Sequence, residues 1–203
     1  MFVTFEGIEG CGKTTQARLL YEWLLSKGES AVLTREPGGT PAGEEIRRLL
    51  LAYRGEKFPP FAELCLYIAD RSFHVQNLIL PSLEKGRHVV CDRFSDSTVA
   101  YQGYGRGLNI ELIRQMNRRA TGSLVPDVTF LIDVPVEVGL SRLRRSPDRM
   151  EGEPLEFHQK VRQGFLKIAE ENPDRVVVVD GTQSVESVFS QVVERVKGFL
   201  NCP

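Results

Sequence analysis

The densest chemistry in this chain lies in "FEGIEGCGKTTQ", residues 5–16. Gly7, Gly12, Lys13 and Thr14 satisfy G-x-x-x-x-G-K-[ST], with a β-rich run before the motif and a helical pattern after it. Glycines let main-chain N–H groups turn inward, and the start of a helix adds positive potential, so Gly7, Ile8, Glu9, Gly10, Cys11 and Gly12 form a cradle for phosphate. Lys13 then bridges the β- and γ-phosphates of a nucleoside triphosphate, the Thr14 hydroxyl ligates Mg²⁺, and Thr15 follows on the helix. Glu9 is the odd member, an anion placed in an anion-binding loop.

A metal-bound triphosphate calls for a carboxylate nearby, and three strand-like runs end in one: "VVCD" at Asp92, "TFLID" at Asp133 and "VVVVD" at Asp180. Asp92 is favoured for Mg²⁺, because Arg93 and the hydroxyl- and aromatic-rich "FSDSTVAYQG" follow it. Asp133 and Asp180 read as structural. Arg93, fixed directly after a strand, suits a bidentate grip on a second phosphate. Arg35, Arg47 and Arg71 are placed to help, although Arg47 and Arg71 taken singly read equally as surface or stem-packed arginines. "SRLRRSPDR" gathers Arg142, Arg144, Arg145 and Arg149. It reads either as a solvated basic helix end or as a mobile lid over about 141–152, whose arginines neutralise the transferring phosphoryl group and exclude water.

The elements that must hold these groups alternate along the chain. Strands are expected at 2–6, 31–34, 87–91, 128–132 and 175–179. Helices are expected at 13–28, 43–52, 60–84, from about 136 into the arginine cluster, at 154–171 and at 183–200, with a broken helical region after Asp92. Pro81 is expected to end or kink the long helix. The fold class is α/β: one P-loop kinase domain over 1–203, with a five-stranded, mostly parallel sheet covered by helices on both faces.

With 26 basic and 27 acidic residues, the net charge of −1 gives no global pull toward nucleic acid or membrane, and neither is expected as a partner. No run of 18 apolar residues occurs and the chain begins directly in a strand pattern, which argues against membrane spanning and secretion. Cys11, Cys65, Cys91 and Cys202 show no paired spacing. Cys65 and Cys91, in apolar runs, are expected to be reduced core thiols, as in a cytoplasmic protein.

Taken together, "FEGIEGCGKTTQ", "REPGGTPAGEEIR", "LYIADR" and "DRFSDSTVAYQG" resemble the successive signatures of thymidylate (dTMP) kinases, in order from residue 5 to about 200. The resemblance implies ATP and dTMP as substrates, Mg²⁺ as cofactor, γ-phosphoryl transfer giving dTDP and ADP for dTTP biosynthesis, and a homodimer built on long apolar helices. It places Tyr67, where phenylalanine is commoner, on thymine, with Arg71 donating to O4. It sets Ser97 and Thr98 near the base, Tyr101 under the deoxyribose and Pro37 around the 5-methyl group. Arg93 and Arg47 grip the acceptor phosphate with help from Arg35, while Arg149 contacts the acceptor side. The resemblance also makes Arg142 a candidate to stack on adenine.

The family divides by the source of its catalytic arginine, which lies either in the phosphate loop or in the lid. Gly10 in the loop and Arg144 and Arg145 in the lid resemble the lid group. Glu9 is then expected to turn from the triphosphate toward the acceptor's 3′-hydroxyl. The nearest rival is a kinase for another nucleoside monophosphate, such as uridylate or guanylate. A more distant one is a nucleotide switch or motor ATPase that uses its arginine cluster on a protein partner.

Overall fold

The computed structural model describes residues 1–52, 55, 58–143 and 148–200. Five parallel strands, β1 (Phe2–Glu6), β2 (Ala31–Arg35), β3 (His88–Asp92), β4 (Val128–Asp133) and β5 (Val176–Asp180), form one sheet in the order β2-β3-β1-β4-β5. β1 and β4 are almost wholly buried, as expected for strands covered on both faces. Register explains why the site residues meet. Phe5 and Arg35 both pair with Asp92, so β1, β2 and β3 end level at one edge of the sheet. The chain reverses its direction of travel across the sheet around β1, and ligands of open α/β sheets bind in the crevice at such a point.

Alternation along the strands divides the core. Val3, Phe5 and Val90 face α1 and the C-terminal helices, with Phe5 stacked on Phe130 at 5.3 Å. Phe2, Val89 and Cys91 face the other way, where Phe2 meets Phe94 edge-on at 5.0 Å. α1 (Lys13–Ser26) buries Ala17, Leu20 and Leu24, the stripe expected from their spacing, and Gly28 closes it in the left-handed region at φ 80°.

α2 (Pro41–Ala52) and α3 (Pro60–His74) follow β2. The expected long helix changes character after His74: Val75–Ile79 is π-helical and α4 (Leu80–Glu84) resumes the α form, with Pro81 in its first turn. Pro81 lacks an N–H, and its ring presses on the preceding turn, so the disturbance sits just before the proline as a widened turn rather than a break. Cys65 corrects another expectation. It lies on the exposed face of α3, because the buried stripe of that helix runs through Leu64, Asp70 and Arg71 instead. Cys11 and Cys91 are buried, and Cys202 lies outside the described residues.

After β3 come α5 (Ser95–Thr98), a π-helical segment Val99–Gly105, and α6 (Ile110–Thr121), which Asn109 caps by accepting from Leu112 N–H at 2.9 Å. α7 (Val136–Ser141), α8 (Leu155–Glu171) and α9 (Val185–Lys197) complete the molecule. Among the described residues, no helix is long and apolar enough to cross a membrane.

Candidate active site

At the end of β1 the chain turns through Gly7, Gly10 and Gly12, all at positive φ, into α1. Gly12 caps α1 without a side-chain bond, so the first N–H groups of the helix face the loop's interior and make an anion seat. Lys13 is largely buried and its Nζ donates to the Ile8 carbonyl at 3.1 Å. Gly10 cannot carry a side chain here, since a Cβ would fall 1.9 Å from the main-chain oxygen of Gly139 in α7. The reverse also holds, because a Cβ on Gly139 would fall 2.5 Å from the Glu9 carbonyl.

The Thr14 hydroxyl donates to Asp92 Oδ2, while Asp92 Oδ1 is buried with no hydrogen-bond partner among the described residues. Two hard oxygen donors side by side, one under-used, fit a Mg²⁺ that takes its other ligands from phosphate and water. No cluster of three or more His, Cys, Asp or Glu side chains suited to a metal occurs among the described residues. Asp133 and Asp180 are spent structurally, as expected. Asp133 takes a two-pronged bond from Arg162 at 2.7 Å, and Asp180 accepts from the Thr182 N–H and hydroxyl.

Glu9 occupies the centre. Its Oε1 accepts from the Tyr101 hydroxyl at 2.5 Å and from Arg93 Nη2 at 3.2 Å. Burial pushes this carboxyl up, but the contact with His158 and the charges of Arg93 and Lys13 outweigh it and bring the pKa down to about 2. Glu9 is therefore a carboxylate throughout the neutral range, and the local positive charge answers its apparent repulsion from phosphate. Arg93 adopts φ 72°, a costly value for a side-chain-bearing residue. That turn lets Nη1 donate to the Gly7 carbonyl and Ser97 Oγ, both at 3.0 Å, while the guanidinium lies 4.9 Å from the centre of the Tyr101 ring. Glu6 holds the turn from behind, accepting from Phe94 N–H at 2.8 Å and from the Ser97 hydroxyl at 2.6 Å. Burial and the charge of Asp96 raise the Glu6 carboxyl to about 7.

Beyond Glu9 the cavity reaches Arg71, which is almost fully buried. Its Nε donates to Glu36 Oε2 at 2.8 Å, Nη1 to Thr98 at 2.7 Å and Asn117 at 2.6 Å, and Nη2 to the Phe94 carbonyl at 3.0 Å. The other Glu36 oxygen lies 2.9 Å from His74 Nδ1, whose Nε2 lies 2.7 Å from Thr34 Oγ1. A chain of buried polar groups thus runs from the sheet to Arg71 and fixes its plane. Tyr67 lines the same end, its hydroxyl proton held by burial and by the charge of Glu63.

One cavity of about 740 Å³ joins these parts. It is lined by Glu9, Gly10, Cys11, Gly12, Lys13, Thr14 and Thr15 from the loop side. From the other side come Arg35, Pro37, Arg47, Tyr67, Arg71, Asp92, Arg93, Ser97, Thr98 and Tyr101, with Arg142 at the rim. Gly7 and Ile8 shape the loop from outside that lining, and Arg144 and Arg145 lie outside the described residues. Arg35 pairs with Glu44 at 3.1 Å, and Arg47 donates to the Pro37 carbonyl at 2.8 Å. Burial, then the charge of Arg35, lowers the Arg47 pKa. Arg142 reaches the Gly181 carbonyl at 3.1 Å, tying α7 to the loop after β5. Arg149 sits beside the cavity rather than in its wall, bonded to Glu63 at 2.6 Å and to the Leu50 carbonyl at 2.7 Å.

A family profile described as thymidylate kinase matches residues 5–192. A thymidylate kinase of Sulfurihydrogenibium is 52% identical over 196 residues, covering 97% of this chain and 96% of its own. One from Gloeobacter violaceus is 51% identical over 205 residues, covering 99% and 96%. The crystal structure of thymidylate kinase from Ehrlichia chaffeensis superimposes with a TM-score of 0.80 at 41% identity, over 97% of this chain and 98% of its own. The chain belongs to the thymidylate kinase family. Its P-loop kinase fold, with a five-stranded parallel sheet, is that of this family.

Several residues that organise this cavity carried no chemical signal in the sequence. Glu6 and Glu36 stand inside motifs, in "FEG" and "REPGG", yet adjacent glycines and arginines dominate those strings. Gln102, within "AYQG", donates to Glu63 at 2.8 Å. Asn117 and His158 lie on helices with nothing in their neighbourhood to mark them, and only the packing brings them to Arg71 and Glu9.

Proposed function

We infer that this chain transfers the γ-phosphoryl group of ATP to dTMP, giving dTDP and ADP in dTTP biosynthesis. The observation that carries this is the single cavity in which a phosphate loop and an arginine-anchored pocket meet at Glu9 and Arg93. Phosphoryl transfer needs an in-line approach and stabilised charge more than covalent help, and an acceptor phosphate already ionised at neutral pH needs no dedicated base. ATP enters at Gly7–Thr15, with Lys13 on the transferring phosphoryl group and Arg142 against adenine beside the loop at Gly181. Thr14 and Asp92 would hold Mg²⁺, which supplies charge neutralisation at the β- and γ-phosphates when bound. We assign the lid charge to Arg144 and Arg145 on the sequence pattern, with the lid at about 141–152 of one kinase domain.

For the acceptor, Arg93 and Arg47 grip the phosphate, assisted by Arg35. Arg71 and the Thr98 hydroxyl it holds face thymine O4 and N3, Tyr67 stacks, and Pro37 shapes the 5-methyl space. Ser97, whose hydroxyl is committed to Glu6 and Arg93, serves this pocket through Arg93. Tyr101 lies where a ribose 2′-hydroxyl would crowd it, Glu9 accepts from the 3′-hydroxyl, and Arg149 supports the acceptor side through Glu63. The outward face of α3 exposes Phe61 and Phe73, at 52% and 45%, and a second copy of the chain is proposed to cover it. A cytoplasmic location accords with this metabolic role.

A coupled ADP-release assay with dTMP, dUMP, UMP, CMP and GMP tests the reading. Turnover should be greatest with dTMP and weak with UMP. Equal rates with UMP and dTMP would remove Tyr101 from specificity, and hydrolysis indifferent to any acceptor would overturn the kinase assignment.

A further inference from the structure

His158 stands on the first turn of α8, immediately after the lid region, and is completely buried. Its Nδ1 lies 3.4 Å from Glu9 Oε2, yet neither ring nitrogen makes a well-aligned hydrogen bond among the described residues. Oε2 is likewise buried and lacks an aligned donor, whereas Oε1 already receives two. Burial draws the His158 pKa down, but the Glu9 carboxylate and the main-chain carbonyls of Glu151 and Glu153 draw it up more, and the net is above its ordinary value. The charged groups around the pair are Lys13 in the loop and Arg93 after β3, with the neutral Tyr101 hydroxyl donating from the π-helical segment.

The imidazole thus sits between the Glu9 carboxylate and the main-chain carbonyls of Glu151 and Glu153. Phe157 packs beside the imidazole at 5.6 Å and also meets Tyr101 at 6.2 Å, so α8 sets His158 and Tyr101 together against the two oxygens of one carboxylate. Tyr101 and Arg93 occupy Oε1. Oε2 is buried, so His158 is the group that answers its charge from behind, and a ligand in the cavity meets this carboxylate from the Oε1 side.

We propose that His158 is a positioning residue that holds Glu9 by its buried Oε2, in the rotamer that turns Oε1 toward the acceptor's 3′-hydroxyl. The inference rests on the reading that Glu9 meets the acceptor sugar. The hold is electrostatic and acts on Oε2, so it fixes the carboxylate without competing with the incoming hydroxyl at Oε1. Because His158 is seated against the carbonyls of Glu151 and Glu153, it also ties the C-terminal stem of the lid to the sugar contact.

The test is a double-mutant cycle with His158→Phe and Glu9→Gln, run with dTMP and with 3′-deoxy-dTMP, with Tm recorded for each variant. With dTMP, His158→Phe should lower kcat/KM by about tenfold, mainly through the KM for dTMP, with the KM for ATP unchanged. With 3′-deoxy-dTMP, or in the Glu9→Gln background, the same substitution should cost little. His158→Gln, which keeps an N–H within reach, should recover part of the loss. If His158→Phe does not fold, His158→Asn, too short to reach Oε2, takes its place. A loss of equal size with both acceptors, a loss additive to that of Glu9→Gln, or no loss with dTMP overturns the proposal. If Glu9→Gln alone impairs both acceptors equally, the 3′-hydroxyl reading fails separately, which the Glu9 arm reports without His158.

Discussion

The two ends of the cavity are built by opposite means. By the proposed assignment of donor and acceptor ends, the lining of the donor side is main chain: glycines at positive φ and the uncapped start of α1, joined by the Lys13 amine. On the acceptor side it is side chain, and every important group is braced by another. Arg71 is fixed by Glu36, Thr98, Asn117 and the Phe94 carbonyl, and Glu36 in turn is fixed by His74. A triphosphate presents many equivalent oxygens and is well served by a cradle of N–H dipoles. A base must be told from its near relatives, and buried polar groups with fixed partners do that, because a wrong ligand leaves them unpaired.

The contrast predicts where damage falls. The largest effect should come from the donor side. Lys13→Ala, which removes the cradle's only charged donor among Gly7–Thr15, should lower kcat by about 10²–10³ with any acceptor, read in the ADP-release assay. Its fold should survive, since the amine's described bond is one to the Ile8 carbonyl. A large drop in Tm would show that the donor side is braced like the acceptor side and dissolve the distinction.

Arg71→Ala should do the reverse. It leaves Glu36 as a buried charge without its partner, so thermal unfolding should show a loss of about 3–5 kcal/mol, and the KM for dTMP should rise far more than that for ATP. Arg71→Lys should rescue little, because an ammonium cannot span four partners arranged around a planar fork. An unchanged KM for dTMP would remove Arg71 from the base site.

The smallest effect is a gain. Asp70 is buried beside this network, and burial followed by the Glu36 charge raises its carboxyl from 3.8 to about 7. The folded state thus binds this proton more tightly than the unfolded chain. Stability is lost as pH rises from about 4 to 7, and the full penalty stands above about 7. Asp70→Asn should therefore raise stability by about 1–3 kcal/mol near pH 8, with the gain closing as pH falls below about 5. Equal gains at both pH values would assign the benefit to packing. Glu9 runs the other way: its carboxyl is lowered to about 2, so its stabilisation holds above 4.5 and is lost as pH falls toward 2.

The same contrast explains what was readable in advance. The sheet was legible because its strands are unbroken apolar or β-branched runs such as "TFLI" and "VVVV". The phosphate loop was legible because a main-chain site leaves its trace as glycines at fixed spacing. Arg93, with Arg35, Arg47 and Arg71, could be read as a second phosphate grip, but the residues for the base and sugar were named only through resemblance, because each is a common residue type whose role is set by a partner far along the chain. Glu6 and Ser97 stand 91 residues apart, and Arg71 and Asn117 stand 46 apart. The π-helical segments Val75–Ile79 and Val99–Gly105 had no periodic signature either, since one inserted residue does not change an apolar pattern. The outward turn of Cys65 was missed for a related reason. A run rich in apolar residues does not say which of its faces is covered.

The contact between Gly10 and Gly139 has an evolutionary consequence. The resemblance implies two places for the catalytic arginine, loop or lid, which are two solutions to one electrostatic problem. In this chain the first solution is closed off, since any side chain at position 10 would drive a carbon into a peptide oxygen at 1.9 Å. Moving the charge would require the loop and α7 to separate first, a step that offers no benefit until the arginine arrives. An arginine in the loop of this chain would thus need two elements to move at once, and a pair of hydrogen atoms on facing glycines is all the room the contact leaves.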